Sequence, residues 1–109
     1  MFDFDDYKNL TDYTFHYPVQ EVLKTQYAQY KRKIQNNMLS FDKWVLETVK
    51  SSVIRGYNKY AEIEPEWARL KYYMDNIQVS KSLQKVCIIY DQALLLLFDS
   101  HPLPPNFII

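Results

Sequence analysis

The sequence predicts an all-α fold, an antiparallel bundle of about four helices, and three observations carry that prediction. Apolar residues recur at steps of three and four through most of residues 18–98, the spacing that lines up one face of a helix. The 109 residues include one glycine, too few for the tight turns of a β sandwich or barrel. A composition 48% apolar and 17% aromatic, with ten Tyr, six Phe and two Trp, is too rich for a disordered chain. At this length one domain is expected, with an arm over 1–17, a helical core over 18–99 and an extended tail over 100–109.

The arm sets Asp3, Asp5, Asp6 and Asp12 against Lys8 and interleaves them with Phe2, Phe4, Tyr7, Leu10, Tyr13, Phe15 and Tyr17. Neither the helical nor the strand period holds, so the arm reads as mostly irregular. The first helix opens at Pro18, whose missing N–H and fixed φ suit a first turn, and runs to about residue 37. Val19, Val22, Leu23, Gln26, Tyr27, Tyr30 and Ile34 form its stripe. Lys24, Lys31, Arg32 and Lys33 outweigh Glu21 on the remainder, and this positive balance suggests that the acidic arm folds back over this helix.

Ser40 is a good cap for a second helix that shows Phe41, Trp44, Val45, Thr48, Val49, Ser52, Val53 and Tyr57 on one face. Gly56 lies within that run, where glycine costs about 1 kcal/mol relative to Ala, so it marks either fraying or close packing. A third helix starts near Pro65, with Glu62, Glu64 and Glu66 around its positive end and Trp67, Leu70, Met74 and Ile77 as its stripe. A single helix over 65–99 competes with this division. A break is preferred, because Ile77-Gln78-Val79-Ser80 interrupts the spacing and Ser80 can cap a fourth helix. That last helix is apolar nearly all round, the mark of a central element enclosed by its neighbours. Trp44, Trp67, Leu83, Tyr90 and Leu94 are the expected core anchors. Beyond it, His101-Pro102-Leu103-Pro104-Pro105 predicts an extended tail.

The chemistry is limited. His16 and His101 lie in the least regular segments and have no companion at metal-ligand spacing. Gly-x-Ser-x-Gly and phosphate-loop patterns are missing, so neither a catalytic residue nor a metal or other cofactor is expected, and the chain reads as non-enzymatic. Cys87, the one cysteine, stands in Val86-Cys87-Ile88-Ile89 as a small buried hydrophobe, and without a disulfide partner it points to a reducing compartment, cytoplasmic or nuclear. The acidic N-terminus does not resemble a secretory leader. The most apolar run, Ile88 to Phe98, is half the length needed to span a bilayer, so no membrane partner is expected. Zero formal net charge disfavours a dedicated nucleic-acid binder, although Lys31, Arg32 and Lys33 beside Tyr27 and Tyr30 offer cations next to rings, and a nucleic-acid accessory role is the alternative reading.

Ile89-Tyr90-Asp91-Gln92-Ala93-Leu94, with Trp67 upstream and Pro102 downstream, resembles the second helix of a half-a-TPR repeat over about forty residues. The resemblance implies a helix-pair scaffold with no active site. The Trp67 to Tyr90 spacing is long for that family, Asp75 matches its acidic position loosely, and the Tyr-Asp-Gln-Ala-Leu segment occurs once.

Aromatic residues exceed what a four-helix core of this length needs, and Tyr and Trp favour binding surfaces. An interaction module is therefore the leading reading: an adaptor, assembly subunit or small inhibitor that binds another protein or a second copy of itself. Tyr57, Tyr60, Tyr72 and Tyr73 form one candidate surface. The tail forms another, with its Pro102-Leu103-Pro104-Pro105 motif and the apolar Phe107 and Ile109. The opposing possibility is that arm and tail wrap the bundle and bury these rings within one chain.

Overall fold

The computed structural model describes residues 2–34, 36–77 and 83–100. Among them the chain forms four α-helices and no strand: α1 (Val19–Lys33), α2 (Phe41–Tyr60), α3 (Glu66–Asp75) and α4 (Leu83–Leu95). α4 packs against each of the other three, and α2 packs against α1 and α3. Its buried face takes in Val86 through Asp91 together with Ala93 and Leu94, so the most apolar helix is the central one, as its composition predicts. None of the described helices is long and apolar enough to cross a membrane.

Ser40 caps α2, its hydroxyl accepting from the Lys43 N–H. α2 then runs past Gly56 without fraying, and the reason for the glycine is steric. A Cβ there would lie 2.2, 2.4 and 2.5 Å from three carbons of the Trp67 ring. Trp67 is fully buried, and its indole N–H donates to Glu64 Oε1 at 3.1 Å just before α3 begins. α3 ends at Asp75, so residues 65–99 are not one continuous helix. The proposed Ser80 cap lies outside the described residues. After Leu95 the backbone widens into a π turn over Leu96–Ser100. The predicted extended tail also lies outside the described residues.

Two expectations need correction. α1 stops at Lys33, not near residue 37, and Ile34 leaves the stripe for an exposed, extended conformation. The connection is pulled back instead by side chains of α1: the Tyr27 hydroxyl donates to the Leu39 carbonyl at 2.8 Å, and the Leu39 N–H donates to Tyr30 Oη at 2.9 Å. Asn37 turns the corner at φ 59°, a left-handed conformation that Asn tolerates better than most residues. The arm is mostly irregular, as expected, and contains two short 3₁₀ turns, Phe4–Asp6 and Leu10–Asp12. Asp3 and Asn9 nucleate them, each side chain accepting the N–H two residues ahead. Secondly, the arm binds α3 and α4, not the basic α1. Exposed charges of opposite sign attract weakly in water, whereas a carboxylate buried on α4 must find donors, and the arm supplies them.

Candidate functional site

Asp91 lies on the buried face of the central helix with no exposed surface. All of its described partners come from the arm. Tyr13 donates its hydroxyl proton to Oδ2, the backbone N–H of Tyr17 donates to Oδ1 at 3.0 Å, and that of His16 reaches both oxygens at 3.1 and 3.2 Å. His16 Nδ1 approaches Oδ2 at 3.0 Å, and Gln92 Nε2 donates to Tyr13 Oη at 2.8 Å. Burial and the neighbouring Asp91 carboxylate push the Tyr13 phenol well above its usual range, so it stays a neutral donor. Residues 13–17 thus act as a cap that neutralises the polarity of a carboxylate embedded in the core. A paired His and Asp is also the geometry that orients an imidazole for proton transfer. Here both Asp91 oxygens are committed to holding the arm, while the His16 side chain remains half exposed, at 52%.

The beginning of the arm attaches to α3. Asp3 accepts from the Tyr73 hydroxyl at 3.1 Å and pairs with Arg69 at 3.4 Å. Hydrogen bonding from the Asp5 N–H, more than the nearby Arg69 and Tyr73, holds its carboxyl below the ordinary range against a smaller opposing desolvation. Phe4 packs edge-on against Tyr73, centroids 4.7 Å apart, with Lys85 Nζ 5.5 Å from its ring centre.

These contacts absorb most of the aromatic surplus. Of the four tyrosines predicted to form an outer face, Tyr57, Tyr60 and Tyr73 are half-buried against the core. Tyr60 stacks on Trp67 with centroids 6.2 Å apart, and Lys71 Nζ lies 5.4 Å from the Tyr57 ring. Tyr72 alone of the four is exposed, at 64%. With Pro65, Ala68, Arg69 and Tyr73 it borders an open hollow of about 430 Å³. Phe107 and Ile109 lie outside the described residues. Four of the five expected core anchors, Trp44, Trp67, Tyr90 and Leu94, are buried, while Leu83 is half-buried in the first turn of α4.

Lys31, Arg32 and Lys33 are exposed in the last turn of α1, where positive charge also complements the helix dipole. The rings beside them face inward. Tyr27 and Tyr30 pack against Trp44 and hold Leu39, so they are not presented for stacking on bases.

A second, mostly apolar groove of about 400 Å³ runs between α1 and α4, walled by Tyr17, Pro18, Val22, Tyr90, Leu94 and Phe98. Cys87 is buried, and that burial pushes its thiol up to about 11, making it a poor nucleophile at neutral pH. Among the described residues no three His, Cys, Asp or Glu side chains are grouped to hold a metal ion.

The signal for the Asp91 cluster was present in the sequence as an acid inside Ile88-Ile89-Tyr90-Asp91, but its partners 74 to 78 positions away carry no spacing pattern. The half-a-TPR resemblance centres on that same segment, and here its acid serves the arm. Comparison with protein-family models, curated proteins and solved structures returned no match to this chain.

Proposed function

We propose that the chain is a non-enzymatic interaction module, an adaptor, assembly subunit or small inhibitor, whose contact element is α3. The observation that carries this reading is Tyr72, 64% exposed on a helix whose other large apolar side chains are packed. A tyrosine offers a rigid apolar ring with a polar tip, and the adjoining Arg69 and Tyr73 are of the types that concentrate at the centres of protein interfaces. The partner is another protein or a second copy of this chain. A photoreactive phenylalanine analogue at position 72, compared with one at the exposed Lys24 of α1, tests the reading in the cells that make the protein. Cross-linking to a discrete partner at 72 but not at 24, lost on competition with untagged protein and not with a Tyr72→Ala variant, is expected. Equal cross-linking at both positions, or none at 72, refutes it.

A further inference from the structure

The arm is held in two unequal halves. Residues 13–17 are fastened to the buried Asp91, and Tyr13 is itself buried. From residue 2 to residue 12, by contrast, no side chain is buried, and the ion pair at the far end joins side chains still 35% and 40% exposed. Exposed pairs of that kind contribute little, so the first residues can leave their seat while the Asp91 attachment stays closed.

That seat has the features of a peptide site. Phe2 closes one side of a small hollow in the seam between α3 and α4, opposite Glu66, Arg69, Leu70, Gln92 and Leu96, and its ring stands edge-on to Tyr73 with centroids 6.4 Å apart. Phe4 occupies the neighbouring place against Tyr73 and under Lys85. Between the two rings, Asp3 takes a hydrogen bond from Tyr73 and the charge of Arg69. A ring, an acid and a second ring are thus recognised in succession by elements that belong to the bundle.

We infer that the α3–α4 seam is a binding site for an acidic phenylalanine segment of a partner protein, of the form Phe-acid-Phe, and that residues 2–4 plug this site in cis. The inference rests on reading the chain as an interaction module; the seat shares Arg69 and Tyr73 with the hollow beside Tyr72 but takes no contact from the Tyr72 ring itself. A tether this short presents the plug at an effective concentration in about the millimolar range, so a partner must match it closely or arrive multivalently. The site is autoinhibited by its own sequence.

The test uses the full chain and a labelled peptide copying residues 2–8, followed by fluorescence anisotropy. A Phe2→Ser/Phe4→Ser variant, with the plug loosened and Tyr13, His16 and Asp91 retained, should bind the peptide at least about tenfold more tightly than the wild type. The same peptide with its three Asp replaced by Ser should bind the variant several-fold more weakly, a comparison that cannot be confounded by misfolding. Arg69→Gln should lower affinity similarly while circular dichroism stays helical, and Tyr72→Ala should leave it within about twofold. Equal affinity for wild type and the double variant, or indifference to the Asp replacements, overturns the proposal. A dimeric mass for the wild type that disappears in the double variant assigns the seam to the arm of a second copy and overturns a separate partner. Peptide binding without cross-linking at position 72 sinks the Tyr72 surface alone, whereas cross-linking without peptide binding sinks the plug alone.

Discussion

Gly56→Ala is a substitution that helix propensity favours and packing forbids, which makes it a sharp test of the α2–α3 contact. In an exposed helix the change stabilises by about 1 kcal/mol. Here the new methyl would stand 2.2 to 2.5 Å from three carbons of Trp67, where carbon atoms normally rest about 3.5 to 4 Å apart. Those atoms belong to a rigid, fully buried ring whose N–H is tied to Glu64, so a side-chain rotation cannot absorb the overlap. Either the indole tilts or α2 and α3 separate. Overpacking of this kind costs about 3 kcal/mol at the upper end of its usual range, which leaves a net loss of about 2 kcal/mol after the propensity gain. For a chain of this size that lowers the melting temperature by roughly 8 °C. Urea unfolding followed by far-UV circular dichroism and by Trp fluorescence reads the effect twice. In a Trp67→Leu background the same glycine replacement should be neutral or stabilising, since the overlapping carbons are gone. If Gly56→Ala in the wild-type chain is as stable as the parent or more so, the close approach of Trp67 to α2 is refuted.

Other outcomes follow from the same contacts. Asp91→Ala leaves the arm's donors without an acceptor and should cost about 3 kcal/mol or more in chemical denaturation, with limited proteolysis cutting first within the arm; unchanged stability would show that the carboxylate is not what holds residues 13–17. Tyr13→Phe removes one donor and should cost about 1 to 3 kcal/mol in the same assay, and a neutral result would detach the phenol from that network. Because burial raises the Cys87 thiol from 9.0 to about 11, its contribution to stability is complete below pH 9 and is lost as pH rises through 11, by up to about 3 kcal/mol. The Tyr13 phenol, also raised, adds to this decline above pH 10, and a Cys87→Ala variant should show the shallower alkaline slope; equal slopes would contradict the burial of the thiol. Single-stranded oligonucleotides at low salt should give no mobility shift that depends on Lys31, Arg32 and Lys33, since Tyr27 and Tyr30 face the core, and a shift abolished by the triple Ala replacement would reverse that view.

The sequence alone determined the elements and their inner faces. Steps of three and four placed Val45, Val49 and Val53 on one side of α2 and Trp67, Leu70 and Met74 on one side of α3, and all are buried. Ser40 marked where α2 begins, and the all-round apolar character of residues 83–98 marked the central helix. These properties are legible because they depend on neighbours within one or two turns. What tertiary structure decided is where the irregular arm goes, and with it which rings stay outside. Charge balance pointed the arm to α1, but a buried carboxylate demands hydrogen-bond donors far more strongly than exposed charges attract one another, so Asp91 drew it to α4. The arm then covers Tyr73 while Trp67 takes Tyr60, and Tyr72 remains as the open ring of that group. Composition counts aromatic residues, but only the packing of segments seventy or more positions apart determines which of them meet water.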